Sequence, residues 1–284
     1  MTQKNTVPEW VNDGDPSNDP IDVVPWSTGP NRTNFFGGDL QGIINHVDYL
    51  EELGINCLYL TPIFEAPSNH RYDTKDYFQV DEMLGTSDTL QALTQALHAR
   101  QMKIILDGVF AHVSDRFPAF QDVLKRGAAS PYAQWFLVDD FPVKQYPQPT
   151  YRACGGLASM PRLNSENPEI QELMCKVGEY WIQTSNIDGW RLDMAWEIPH
   201  KVWSKFRARV RGAKADAFLL GEFWGDATPW LAHDQLDSST NYLWRDTVFR
   251  FFVNQCTDAK TFVREIQALR ALYGPYGSTM VNLL

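Results

Sequence analysis

IDGWRLDM, residues 187–194, is the stretch that decides the fold, because it places charged side chains inside an otherwise apolar strand pattern. A helical pattern with Pro168 in its start signal covers 170–181 before it. A second helical pattern covers 199–212 after it and leads into another apolar run, AFLLGEFW at 217–224. Strands that alternate with helices in this way predict parallel βα units, in which helices cover both faces of one sheet.

The same alternation continues outward in both directions. Apolar runs predict strands at 55–62, 103–110, 187–194, 217–224 and 278–284, with a weaker one at 239–243. Apolar spacing predicts further helices at 41–53, 87–101 and 258–274. The predicted fold class is therefore α/β, of the (β/α)8 TIM-barrel type, with INCLYLTP at 55–62 as one of its buried strands. Because such a barrel has eight strands, the predicted set is incomplete.

Residues 112–165 interrupt the alternation. The segment is rich in Pro, Gly and aromatic residues, contains no predicted βα unit, and is far longer than an ordinary connection. Loops of this length usually carry function or form a small subdomain. We therefore predict a barrel part at 1–111, an inserted loop subdomain at 112–165 that forms one wall of a cleft, and a continuation of the barrel at 166–284.

Composition and charge exclude several classes of partner. The net charge of −10 and the sequence pI near 5.0 give a surface that repels phosphate backbones and anionic lipid, so neither nucleic acid nor a membrane is an expected partner. No apolar run reaches the roughly 18 residues of a membrane span, and the first ten residues lack the features of a signal peptide. The expected location is cytoplasmic.

The cysteines argue against a disulfide framework and against a zinc site. Cys57, Cys154, Cys175 and Cys256 are widely spaced and include no CxxC pair. Most of them lie in apolar surroundings, which are typical of buried thiols.

Two acidic residues at predicted strand ends suggest the chemistry. Arg191 and Asp193 are two residues apart on one strand and point to the same side, while Glu222 lies in the apolar run FLLGEFW at 218–224. A structural salt bridge would explain the first pair. The functional alternative is that Arg191 keeps Asp193 ionised by lowering its pKa, whereas apolar burial raises the pKa of Glu222. One charged and one neutral carboxyl group is the division that a retaining glycosidase requires.

Several motifs that occur in a fixed order extend this interpretation. They are SNHRYDTKDY (68–77), DGVFAH (107–112), MPRLNSENPEI (160–170), GWRLDMAWE (189–197), LLGEFW (219–224) and DSSTNYLWRD (237–246). With these motifs the chain resembles the α-amylase superfamily, glycoside hydrolase family 13, over most of residues 12–284. The third and the last motif resemble the branch of neopullulanases, cyclomaltodextrinases and maltogenic amylases. The resemblance implies retaining hydrolysis of α-1,4-glucosidic bonds in maltooligosaccharides, cyclodextrins or related α-glucans.

The resemblance also implies catalytic roles for individual residues. Asp193 would be the nucleophile, Glu222 the acid/base, and Arg191 the partner that holds Asp193 charged. Asp107 would orient its neighbours rather than react.

Four further residues would contact the sugar. His70, Tyr72 and His112 would line one subsite, with Tyr72 stacked on the sugar face and His112 bonded to a hydroxyl group. Taken alone, His112 reads better as a satisfied core histidine. Trp224 would border the leaving-group side, and a core tryptophan is the alternative there.

A calcium ion is the cofactor that the resemblance implies. DGDPSND at 13–19 carries oxygen side chains around a glycine, a pattern that also fits an Asx-rich turn. Relatives of this branch bind calcium between this segment and the GGD at 37–39. The implied ligands are Asp13, Asp15, Asn18, Asp19, Asp39 and the carbonyl group of Gly37.

The sequence also departs from the family pattern. The first and eighth strands and the third catalytic aspartate are not found, so we expect a chain truncated at both ends. Within the motifs, Ala111 and Trp196 stand where relatives have asparagine. An open sheet has unpaired edges that favour pairing with another chain, which makes a homo-oligomer one expected state. The alternative function is therefore an impaired homologue that at most binds α-glucans, or a fragment with no activity.

Overall fold

The computed structural model describes residues 23–25, 27–30, 34–232 and 235–276. The helices, numbered in chain order, are α1 Leu40–Ile44, α2 Val47–Glu52, α3 Ser87–His98, α4 Pro118–Arg126, α5 Pro168–Ser185, α6 His200–Ala213, α7 Thr228–Leu231, α8 Tyr242–Val248 and α9 Ala259–Tyr273. The strands are β1 Cys57–Leu60, β2 Phe64–Glu65, β3 Asp76–Val80, β4 Lys103–Gly108, β5 Gly189–Leu192, β6 Phe218–Gly221 and β7 Ser238–Ser239. The strand predicted at 278–284 lies outside the described residues.

Five of the strands form one parallel sheet in the order β1-β4-β5-β6-β7. The register places Asp107 of β4 opposite Arg191 of β5, and Leu192 of β5 opposite Gly221 of β6. β2 and β3 form a separate antiparallel pair. The parallel βα arrangement predicted from the sequence is confirmed, and within the described ranges the sheet is open, with β1 and β7 at its edges.

Helix α5 illustrates how local sequence produces the layers. The side chain of Asn167 accepts a hydrogen bond from the backbone of Glu169 at 2.8 Å, and Pro168 occupies the first turn, where its missing N–H costs nothing. The helix ends at Asn186, which adopts a left-handed conformation with φ of 51°. Its buried face carries large side chains, such as the fully buried Trp181, each of which stabilises the fold by about 1.5–3 kcal/mol through burial.

Some predicted elements are shorter or differently exposed in the structure. The helix predicted at 41–53 is divided into α1 and α2, because the chain turns at residues 45 and 46. The prediction that 55–62 is a buried strand is wrong for part of its length. Cys57 and Tyr59 are exposed, because β1 is an edge strand within the described part of the chain.

The prediction of mostly buried thiols is also wrong. All four cysteines are free, but only Cys175 is buried; Cys57 and Cys256 are exposed and Cys154 is half-buried. Apolar neighbours in the sequence therefore did not indicate burial here.

The inserted segment 112–165 has more regular structure than its composition suggested. It contains α4, whose buried face is formed by Ala119, Phe120 and Val123. Isolated antiparallel bridges, such as that between His112 and Arg162, connect its two ends. The proposed boundaries of this subdomain stay a prediction.

Candidate active site

Three acidic side chains meet at the carboxyl edge of the sheet. Asp107 lies near the end of β4, Asp193 directly follows β5, and Glu222 directly follows β6. The backbone N–H of Asp193 donates to the carbonyl of Gly108 at 3.0 Å, and that of Glu222 donates to the carbonyl of Leu192 at 2.9 Å. These bonds extend the ladder of the sheet, so the strands fix the positions of both residues.

The guanidinium group of Arg191 joins all three carboxylates. Its Nη1 atom lies 2.7 Å from Asp193 Oδ1 and 2.9 Å from Asp107 Oδ1, and its Nη2 atom lies 2.9 Å from Glu222 Oε2. All four side chains are buried. Arginine suits this place because its planar fork presents several donors at fixed angles.

One guanidinium group does not neutralise three carboxylates, and the pKa of Asp193 reflects this imbalance. Burial raises that pKa to about 7; Arg191 opposes the increase, while the charges of Asp107 and Glu222 add to it. Burial also raises the pKa of Asp107. Arg191 does lower the pKa of Asp193, in the predicted direction, but burial outweighs the guanidinium group and the net pKa is raised. The acid/base role of Glu222 stays a prediction.

The carboxyl group of Glu222 is held on both of its oxygens. Its Oε2 atom accepts a hydrogen bond from the backbone N–H of Met194 at 3.0 Å, and Met194 adopts an uncommon positive φ of 44°. Its Oε1 atom accepts from the indole N–H of Trp224 at 3.1 Å and faces the hydroxyl of Tyr242 at 3.5 Å. Glu222 is thus oriented before any ligand binds.

Two tyrosines donate hydrogen bonds to Asp107. The hydroxyl groups of Tyr59 and Tyr72 lie 2.5 and 3.1 Å from its Oδ2 atom. Partial desolvation of the phenols and the charge of Asp107 raise the pKa of both, which keeps them protonated donors. Tyr72 was predicted as a site residue, and its ring lies 6.0 Å from the Arg191 guanidinium carbon. Tyr59 was missed, although a tyrosine near the end of a predicted barrel strand could have marked it.

The two predicted histidines differ in their surroundings. The ring of His70 stacks on that of Tyr72, with centroids 6.2 Å apart, and is half exposed. His112 is buried, and among the described residues neither of its ring nitrogens has a hydrogen-bond partner. Burial lowers the pKa of His112 to about 4, and the backbone of Tyr72 opposes this change without reversing it. The imidazole is therefore neutral at pH 7, and it is not the satisfied core histidine of the alternative reading.

Trp224 is not a core residue. Its side chain is 61% exposed and lies beside Trp196, with ring centroids 4.9 Å apart. The exposed ring and its bond to Glu222 place Trp224 at the rim of the site.

The predicted calcium site falls largely outside the described residues. Asp13, Asp15, Asn18 and Asp19 all belong to the undescribed part of the chain. Asp39 is described; its Oδ1 atom caps α1 by accepting from the N–H of Gly42. Gly37 precedes it with φ of 75°. In the described ranges no three His, Cys, Asp or Glu side chains are grouped as metal ligands, so calcium stays a prediction.

A cavity of about 440 Å³ adjoins the site, and Asp39, His70 and Tyr72 are part of its lining.

Across the described residues, we find no helix that combines the length and the apolar character needed to cross a membrane.

Comparison with known proteins shows the family of the chain. The family model for the alpha amylase catalytic domain matches residues 6–274. A maltogenic alpha-amylase from Bacillus acidopullulyticus is 44% identical over 280 residues, which cover 94% of this chain and 48% of that protein. A cyclomaltodextrinase from Geobacillus thermopakistaniensis is 47% identical over 279 residues, which cover 98% of this chain and 47% of that protein. The chain thus spans about half the length of these relatives.

A solved structure shares the fold. The cyclic alpha-maltosyl-(1→6)-maltose hydrolase from Arthrobacter globiformis superposes with a TM-score of 0.89 at 43% identity, covering 98% of this chain and 66% of that chain. The five parallel strands therefore belong to the (β/α)8 barrel that this catalytic domain implies. Because the family model and the relatives cover nearly the whole sequence, the chain belongs to the alpha-amylase family of glycoside hydrolases, among maltogenic amylases and cyclomaltodextrinases.

Proposed function

We propose that this chain carries the catalytic site of a retaining glycoside hydrolase that cleaves α-1,4-glucosidic bonds in maltooligosaccharides, cyclodextrins or related α-glucans. The observation that carries the proposal is the contact of Asp193 and Glu222 with adjacent nitrogens of Arg191. The relatives named as maltogenic alpha-amylase and cyclomaltodextrinase support the substrate class.

The bridging of the two carboxyl groups by Arg191 supports retention. One guanidinium group bridges them, which favours the spacing of about 5–5.5 Å found in retaining enzymes over the wider gap of inverting ones. In the proposed reaction Glu222 protonates the glycosidic oxygen while Asp193 attacks the anomeric carbon. Water then releases the sugar from Asp193 and gives its proton to Glu222.

Neighbouring side chains have proposed roles in binding. The ring of Tyr72 would stack on the sugar held at Asp193. The unpaired ring nitrogens of His112 would bond a sugar hydroxyl, which would remove the cost of leaving them buried without a partner. Asp107 would hold Arg191 in place through its contact with Nη1.

Removal of either carboxylate tests the proposal. We expect Asp193→Asn and Glu222→Gln each to lower the release of reducing sugar from maltoheptaose and β-cyclodextrin by at least about a thousandfold, since each removes a group that reacts. Matched controls are Asp216→Asn and Glu166→Gln, which make the same chemical changes on exposed side chains and should leave the rate unchanged.

Survival of cleavage in both site variants would overturn the proposed roles. Product analysis by NMR adds a separate test, because a retaining enzyme first forms the α-anomer. Initial release of the β-anomer would contradict retention.

A second candidate function is binding of α-glucans without turnover. The pKa of about 7 for Asp193 bears on it, because about half of the molecules then carry a protonated carboxyl group at pH 7, and a protonated carboxyl group is not a nucleophile. Isothermal titration with maltoheptaose, together with a reducing-sugar assay from pH 5 to 9, separates the two. Heat of binding without product at any pH would favour the second function. The calcium ion, a homo-oligomer and a cytoplasmic location stay predictions.

A further inference from the structure

A pair of tryptophans, the exposed Trp224 and the half-buried Trp196, borders the acid/base residue. Trp196 and Trp224 come from the segments after β5 and β6, and their ring centroids lie 4.9 Å apart at an angle of 53°. Tyr242 extends the group, with its ring centroid 6.4 Å from that of Trp224. We call Trp196, Trp224 and Tyr242 the aromatic rim.

Two residues of the aromatic rim face one carboxyl oxygen of Glu222. The indole of Trp224 and the hydroxyl of Tyr242 both face Oε1 of Glu222. The other oxygen, Oε2, is bonded to Arg191 and to the backbone of Met194, on the side of Asp193. The aromatic rim therefore lies on the side of Glu222 that faces away from the nucleophile, where a leaving or an incoming sugar would be placed.

Trp196 is fixed more firmly than Trp224. It lies in the short helical turn Ala195–Glu197, is half-buried, and packs against the core. The carbonyl of Ala195 accepts a bond from the indole of Trp203 at 2.9 Å, and Glu197 forms an ion pair with Arg162 of the inserted segment. Both flanks of Trp196 are thus anchored, so it can hold the exposed Trp224 ring in one position.

We propose that Trp196 is a specificity-determining residue, which holds Trp224 as a stacking surface for an acceptor sugar and so favours transfer to sugar over transfer to water. The inference deepens the proposed function and rests on it. Sugar rings stack on aromatic faces, and two rings in contact provide a larger preformed surface than one.

The step involved is the second half of the proposed reaction. A hydroxyl oxygen of the acceptor sugar bonds to the anomeric carbon as the bond from that carbon to Asp193 breaks, and the hydroxyl proton passes to Glu222. Water reacts in the same way. Because water gains nothing from a stacking surface, loss of the surface should slow transfer to sugar more than hydrolysis.

The test measures the ratio of transfer to hydrolysis in a single sample. The donor is p-nitrophenyl α-maltoside, the acceptor is added glucose, and the products are separated by chromatography. We expect Trp196→Ala to lower this ratio about three- to tenfold, the range that corresponds to one aromatic contact. Because both products come from the same active molecules, the ratio does not depend on the fraction of the variant that folds.

Two further variants complete the test. Trp196→Phe keeps an aromatic ring and the packing, and its ratio should lie between those of the unchanged chain and Trp196→Ala. Phe252→Ala removes an aromatic ring that is 62% exposed, much as Trp224 is, but that contacts Phe251 and Phe262 instead of the site. It should leave the ratio unchanged.

The outcomes separate the inference from the proposed function. An unchanged ratio in Trp196→Ala, or an equal decrease in Phe252→Ala, overturns the inference and leaves the hydrolase function standing. If the unchanged chain releases neither product and maltoheptaose gives no heat of binding, the proposed function fails and the inference fails with it.

Discussion

The two ends of strand β5 differ in which groups are in excess. Hydrogen-bond donors exceed carboxylates at the amino end, and carboxylates exceed cations at the carboxyl end. Just before the strand, the carboxylate of Asp188 accepts bonds from Lys214 at 2.8 Å, Lys103 at 3.1 Å and His98 at 2.7 Å. It also accepts from the backbone N–H of Ile104 at 2.9 Å. At the other end, three carboxylates share the guanidinium group of Arg191.

The pKa values record this difference. Burial alone would raise the pKa of Asp188, but Lys214, His98, Ile104 and Lys103 together lower it to about 2. At the carboxyl end the pKa of Asp193 is raised to about 7. A surplus of donors thus keeps one end permanently ionised, whereas burial, together with a surplus of carboxylates, lets the other end gain and lose a proton near neutral pH. This matches the division in α/β barrels, where one face serves stability and the other catalysis.

The largest effect should come from Arg191→Met, which removes the shared cation. Three buried carboxylates would then lack a counter-charge, so we expect the free energy of unfolding at pH 7 to fall by about 3–5 kcal/mol. Turnover should fall by at least about a thousandfold. Because protonation relieves the repulsion, the loss of stability should be smaller at pH 5, as measured by urea unfolding.

Arg126→Met is the matched control, since Arg126 is half exposed and pairs with Asp122 on the surface. It should change neither stability nor turnover appreciably. An equal loss in both variants would mean that the balance of charge at Arg191 has no special role.

Asp188→Asn should cost stability without affecting chemistry. The native pKa of about 2 lies below the usual value near 3.9, so the carboxylate contributes about 2–3 kcal/mol at pH 7. That contribution is fully present above about pH 4 and is lost as the pH falls through 2. Urea unfolding across this range should therefore show the two proteins converging in acid.

If Asp188→Asn lowered kcat as strongly as a change at the carboxyl end of β5, the two ends would not differ in their roles. Asp216→Asn, at an exposed carboxylate that also pairs with Lys103, is the control for stability and should have little effect.

Asp107→Asn should shift the pH dependence of activity. Because Asp193 reacts in its ionised form, kcat/KM of the unchanged chain should fall as the pH drops below about 7. Removing the negative charge of Asp107 lowers the pKa of Asp193, so this acidic limb should move to lower pH. A profile that stays in place, or moves equally in the exposed Asp139→Asn variant, would contradict the coupling.

The smallest effect is expected from Lys103→Met. The Lys103 side chain is 53% exposed, and Asp188 keeps its bonds to Lys214 and His98, so the loss should be at most about 1 kcal/mol. Lys214→Met, at a side chain that is 17% exposed, should cost more in the same unfolding assay. The reverse order would show that exposure does not determine how much each ion pair with Asp188 contributes to the free energy of unfolding.

The site could be predicted from sequence because its parts lie at strand ends. Apolar runs located β5 and β6, and the alternation of side chains placed Arg191 with Asp193. Since both strands are parallel neighbours, Asp193 and Glu222 had to meet at one edge of the sheet. The family resemblance added Tyr72, which lies within hydrogen-bonding distance of Asp107.

The amino end of the sheet could not be predicted in the same way. Asp188 meets His98 across 90 positions of sequence and Lys214 across 26, and no local pattern identifies such partners. The net pKa of Asp193 was missed for a related reason. Sequence showed its neighbour Arg191 but not the depth of burial or the approach of Asp107, which is 84 residues from Arg191.

The guanidinium group of Arg191 contacts side chains at the carboxyl ends of three different strands, and this has a practical consequence for refolding experiments. A chain in which β4, β5 or β6 paired out of register would regain its helices and yet lack the complete cluster. Circular dichroism would count such a molecule as native, whereas recovered activity would not. The gap between the two yields therefore measures how often the strands pair incorrectly.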